Sequence, residues 1–163
     1  MIEWEEIDSA QLGDGTRFVL ARHDEEWVVR VCDRVLMSSR MHDSEEALAE
    51  HAIERTPDPH AVLVGGLGLG FTLRAVLDRV DADAVVTVAE LVPALVGWNR
   101  NQVGMLNDHP LDDPRCEVVV GDVLDTIKRS TRRFDVILLD VDNGPVALSA
   151  VTTQQLYSAW GVR

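Results

Sequence analysis

The residues of this chain whose types and spacing can do chemistry are Gly65, Gly66, Gly68 and Gly70, the acid Glu90, the pair Gly121-Asp122, and the acids Asp140 and Asp142. The glycines follow the apolar run Ala61-Val62-Leu63-Val64 and precede a helical pattern that opens near Phe71. A strand that passes through a glycine turn into a helix lets backbone approach a ligand closely, and the helix start offers unpaired N–H groups. Glu90 closes the next apolar run, twenty positions past Gly70, where a carboxylate can accept hydrogen bonds from both hydroxyls of a ribose. Leu91 follows it and can lie against one face of an adenine ring. Asp122 can accept from the adenine amino group while the Val123 N–H serves a ring nitrogen, although an Asp there is equally a good helix N-cap. Asp140 and Asp142 suit an amine nucleophile, which must be held and relieved of a proton. The turn-forming run Asp142-Asn143-Gly144-Pro145 gives Asp142 a purely structural alternative.

Other chemistries find little support. A dinucleotide fingerprint counted from Gly66 fails at Phe71, and no lysine follows Gly70 as a phosphate loop requires. His42, His51, His60 and His109 have no metal-ligand spacing, and Ser38-Ser39 lacks the context of a nucleophilic serine. Cys32 and Cys116 lie in apolar runs far apart and are expected to be small core residues. Trp98 is expected in the core. What remains, G-x-G-x-G after one strand and an acid ending the next, resembles the S-adenosylmethionine site of class I methyltransferases and of the related aminopropyltransferases.

These residues need a scaffold, and hydrophobic patterning supplies one. Strand-like runs at 17–21, 27–32 and 34–37 predict an N-terminal β-hairpin or meander, and a helix over 41–55 follows, capped by Asp43 or Ser44. Pro57 and Pro59 end it, so residues 1–56 and 57–163 are expected to form two units. From residue 61 strand and helix alternate: strands at 61–64, 84–89, 116–120 and 134–139, with helices at 70–80, 93–103 and from 122 to about 128. The strands are continuous in Val, Leu and Ile, as parallel strands covered on both faces are. The fold class is therefore α/β, with a Rossmann-like, mostly parallel sheet of the class I methyltransferase type. After Asp140 only a loop and a helical piece at 152–160 are expected, so the last strands of such a fold are expected to be missing. The sheet edge this leaves makes a homodimer an expectation.

Composition sets outer bounds. With 163 residues, 46% hydrophobic and 26% charged, the chain can bury a sizeable core. A net charge of −13 argues against nucleic-acid binding, which depends on clustered Lys and Arg, and suits a small cationic amine as substrate. No apolar run reaches membrane-spanning length and the acidic N-terminus does not read as a signal peptide, so no membrane partner and a cytoplasmic location are expected.

The order of segments resembles the spermidine synthase family. The matching runs are Val35-Leu36-Met37-Ser38-Ser39-Arg40, Val62-Leu63-Val64-Gly65-Gly66 and Val88-Ala89-Glu90, followed by Asp112-Asp113-Pro114-Arg115, Val118-Val119-Val120-Gly121-Asp122 and Phe134-Asp135-Val136-Ile137-Leu138-Leu139-Asp140. The resemblance implies a nucleoside site at Glu90 and Asp122, a catalytic Asp140, and S-adenosylmethionine or its decarboxylated form as cofactor. Three departures fall on the substrate side. Gly68 and Leu69 place no acid in the turn, the sole tyrosine is Tyr157, and the loop after Asp140 is short. A decarboxylated cofactor needs a partner for its free amine, so the missing acid puts methyl transfer ahead of aminopropyl transfer as the expected reaction. A non-catalytic nucleoside-binding or interaction module is the third expectation.

Overall fold

The structure, a computed structural model, describes residues 3–141. Within them, β1 (Glu5–Gln11), β2 (Arg17–His23), β3 (Glu26–Val31) and β4 (Arg34–Ser38) form an antiparallel sheet in sequential order. The meander thus has one strand more than its apolar runs predict. β1 is polar almost throughout, so no alternation marks it. Its ladder to β2 holds it, with Arg17–Glu6 and Arg22–Glu5 ion pairs across that ladder. The β3–β4 connection is the two-residue turn Cys32-Asp33, both in left-handed conformation at φ 49° and 61°. Cys32 is therefore exposed rather than a core residue, because a tight turn points its side chains outward; Cys116 is half-buried.

α1 spans Asp43–Glu54 and starts from His42, which makes no side-chain cap bond. Neither Asp43 nor Ser44 caps it. Asp43, Glu45 and Glu46 instead occupy the first turn, where negative charge meets the positive end of the helix dipole.

From residue 61 the chain alternates β5 (Ala61–Gly65), α2 (Phe71–Leu77), β6 (Val85–Glu90), α3 (Pro93–Asn101), β7 (Cys116–Val120), α4 (Val123–Arg129) and β8 (Val136–Leu139). These strands are all parallel, in the order β7-β6-β5-β8, which is the Rossmann-like sheet the alternation predicts. Some ends move. α2 stops at Leu77 rather than Val80, and α3 at Asn101 rather than Val103. β8 begins at Val136; just before it, Asp135 Oδ2 accepts from the backbone N–H of His60 and of Ala61, 2.9 Å each. Among the described residues β7 and β8 are the edge strands, and neither is covered on both faces: Glu117, Val119 and Val120 of β7 and Ile137 of β8 are exposed.

Three apolar clusters hold this arrangement. Val62, Val64, Val86, Val88 and Leu138 pack under α1 and α2, and Leu63 and Ala89 pack with Val123 and Leu124 of α4. A third cluster joins the sheets: Phe18, Leu20 and Trp27 meet Leu95 and Trp98 of α3, together with Leu69 from the glycine turn. Trp98 is a core residue, as expected, and its Nε1 donates to Asp8 Oδ2 at 2.9 Å. Asp113 and Arg115 have a structural task. Arg115 pairs with both carboxylate oxygens of Asp113 (2.8 and 2.9 Å) and donates to Val80 O at 2.9 Å, strapping the start of β7 to the end of the α2 segment. The guanidinium holds the Asp113 carboxyl below the usual carboxylate range. No helix of the described residues is long and apolar enough to cross a membrane.

Candidate active site

Parallel pairing brings the predicted residues to one edge. The strands end level: Gly66 N donates to Ala89 O, Gly121 N to Glu90 O, and Asp140 N to Gly65 O, all at 2.8 Å. The glycine turn, Glu90, Asp122 and Asp140 therefore line the carboxyl end of the sheet, where open α/β folds take their ligands.

The turn is glycine-rich for steric reasons at two positions above all. Gly66 has φ 93°, and a Cβ there would stand 2.3 Å from the carbonyl oxygen of Asp140. Gly70 has φ 88°, and a Cβ would meet Asn99 Oδ1 at 2.8 Å. We expect Gly66→Ala to lose at least about 3 kcal/mol in urea unfolding, since backbone strain and overlap with β8 add. Gly65 packs closely on Val123, and Gly68 faces the Met37 thioether from β4.

Side chains absent from the sequence-level expectations hold the turn from behind. Asn99 Nδ2 donates to Gly68 O at 2.8 Å, and Asn107 Nδ2 to Leu69 O at 2.6 Å. Both asparagines are buried. Asn99 follows Leu95 by one helical turn on the buried side of α3, so a polar residue on an apolar face was the available signal. Nothing in the sequence marks Asn107.

Glu90 points into the bend. Its Oε2 accepts from Leu67 N and its Oε1 from Val92 N, each at 2.8 Å, and the residue is only 5% exposed. An ionised carboxylate has roughly four acceptor positions, and besides these two bonds the backbone N–H groups of Gly68 and Leu91 also act on it. Burial pushes its carboxyl above the usual range, and the N–H groups of Val92 and Leu67 oppose that shift. A raised pKa means the folded state holds its proton longer than the unfolded chain. Stability from this group is thus complete below the ordinary glutamate range and is lost as pH rises through the raised value. The stability of the wild-type protein relative to Glu90→Gln should therefore fall as pH rises above about 4.5, the ordinary value, in urea titrations at a series of pH values. Leu91, next to it, is 44% exposed and open on this edge.

Asp122 is the N-cap of α4: its Oδ1 accepts from Leu124 N at 2.8 Å and Asp125 N at 3.1 Å. Its alternative structural role is therefore filled, and Val123, the first residue of α4, is buried beside Gly65. Asp140 sits where β8 ends, and its Oδ2 accepts from the Thr72 hydroxyl at 2.9 Å. Thr72, like Asn99 and Asn107, is a residue the sequence did not single out. Asp142, the loop through Pro145, the 152–160 segment and Tyr157 lie outside the described residues.

Comparison with known proteins bears on what this edge belongs to. Residues 41–160 match the family model described as the spermine/spermidine synthase domain. Polyamine aminopropyltransferase 2 of Pseudomonas aeruginosa is 33% identical over 135 residues, covering 79% of this chain and 38% of that protein. Polyamine aminopropyltransferase 1 of Hyperthermus butylicus is 32% identical over 132 residues, covering 77% and 45%. This chain thus spans less than half the length of those relatives. A spermidine synthase crystallised with the transition-state analogue AdoDATO superposes with a TM-score of 0.72 at 25% identity, over 84% of this chain and 48% of the other. The spermidine synthase of Thermotoga maritima superposes at 0.75 over 95% and 53%, and at 24% identity it speaks for the fold alone. The two relatives are named as aminopropyltransferases, whereas the missing acid at Gly68 and Leu69 puts methyl transfer first. The family model spans all four parallel strands and their connections. By the extent of that match, the chain belongs to the spermine/spermidine synthase domain family.

Proposed function

We propose that this chain is the nucleoside-binding part of an aminopropyltransferase that moves a three-carbon amine from decarboxylated S-adenosylmethionine to a small amine acceptor. The observation that carries the reading is that two carboxylates reach one sheet edge on either side of β5 and its glycine turn, Glu90 at the end of β6 and Asp140 at the end of β8. Two features suit an adenosyl group: Glu90 aims its carboxylate into the glycine turn, and Leu91 beside it offers exposed apolar surface. In this proposal Gly65, Gly66, Gly68 and Gly70 shape the turn, Glu90 takes the ribose hydroxyls, and Leu91 lies on the base. Asp122 and the Val123 N–H meet its polar edge, with Asp122 keeping its capping bonds.

The bound sulfonium supplies an electrophilic carbon next to sulfur and a neutral thioether as leaving group. The protein's share is orientation of the attacking nitrogen and removal of its proton, and both fall to Asp140, with Asp142 as a second candidate. The net charge of −13 supports a cationic donor and acceptor by long-range attraction. Gly68 and Leu69 leave the amine end of the donor without a carboxylate from the turn, so S-adenosylmethionine belongs in the test as a competitor.

The test is to incubate the protein with decarboxylated S-adenosylmethionine and a panel of linear diamines, following release of 5′-methylthioadenosine. Release that depends on the diamine is expected. S-adenosylhomocysteine from S-adenosylmethionine, with no methylthioadenosine from the decarboxylated donor, would sink the reading.

A further inference from the structure

We propose that Thr72 is a positioning residue that fixes the Asp140 carboxylate, so that the turn receiving the nucleoside also aims the group that receives the acceptor's proton. This rests on the aminopropyl-transfer reading for its meaning, though the contact itself does not. Thr72 is the second residue of α2 and is 1% exposed, so its hydroxyl must find a protein partner. The donor-to-acceptor distance to Asp140 Oδ2 is 2.9 Å, and a hydrogen bond to an ionised group is among the stronger kinds.

The same short segment reaches Asp140 from two other directions. Gly65 O accepts the Asp140 N–H at 2.8 Å, and Gly66 lies so close to the Asp140 carbonyl that no Cβ fits between them. Backbone contacts at 65 and 66 thus locate the main chain of Asp140, while the terminal torsion of an Asp side chain is intrinsically broad. The Thr72 hydroxyl adds a hydrogen bond that gives the carboxylate a direction. The threonine methyl is not needed for this, so serine should serve and valine, nearly the same shape, should not.

The experiment compares Thr72→Val and Thr72→Ser with the parent chain. For Thr72→Val, kcat for methylthioadenosine release is expected to drop 10- to 100-fold, with calorimetric affinity for decarboxylated S-adenosylmethionine within threefold. Thr72→Ser should return kcat to within threefold of the parent. Equal losses in kcat and donor affinity, or no rescue by serine, would show a packing role and overturn the proposal. An unchanged kcat in Thr72→Val would overturn it as well. A double-mutant unfolding cycle of Thr72→Val with Asp140→Ala reads the contact without turnover. At least tenfold coupling in the unfolding constant is expected, and no coupling overturns the proposal whatever the reaction. If coupling appears but no diamine is consumed, the hold on Asp140 stands and the aminopropyl-transfer reading is the part that fails.

Discussion

Glu90→Ala should weaken binding of 5′-methylthioadenosine or decarboxylated S-adenosylmethionine roughly 100-fold, about 2.8 kcal/mol, by isothermal calorimetry. Two ribose hydroxyls donating to one buried carboxylate are worth about 1.5–3 kcal/mol each, and part of that returns through solvation of the freed ligand. The substitution also strips acceptors from Leu67 N and Val92 N. Each buried N–H left unpaired costs about 1–3 kcal/mol, so with two of them stability should fall by about 2–6 kcal/mol. Glu90→Gln separates the two effects. It keeps one acceptor oxygen but presents an amide NH2 to the second backbone donor, so it should bind poorly while folding better than the alanine variant. Wild-type affinity in either variant would remove the ribose role from Glu90 and with it the main support for a nucleoside site.

Asp140→Asn should leave donor binding within about threefold and lower amine-dependent turnover by about 10²–10⁴, the usual worth of a positioned general base. Asparagine can still accept from Thr72 through its side-chain oxygen, so that contact is kept while the proton acceptor is lost. Turnover that survives this change would transfer the role to another group, with Asp142 the first to examine by the same substitution.

Hydrophobic period carried most of the fold. The continuous Val/Leu/Ile runs of β5 and β6 stand within a residue of where the alternation put them, because a buried parallel strand needs apolar residues on both faces. Where a strand is polar and exposed the signal faded. β1 is polar and held by cross-strand ion pairs, so its residues do not alternate. Cys32 lies in an apolar run but occupies a left-handed turn position, a property of backbone geometry that hydropathy does not encode. At the site, glycine spacing and the acids at strand ends were legible, since each stands next to an apolar run that fixes its place along the sheet.

What the sequence by itself determined is which residues reach the carboxyl edge: a strand's length and polarity decide where its chain turns, and that is local information. Only the tertiary structure decided what those residues touch there. The hold of Asn99 and Asn107 on the glycine turn, the Thr72 bond to Asp140 and the absence of space at Gly66 join segments distant in the chain. Hydrogen bonds and excluded volume act through space, so such partners become visible only after the strands have paired.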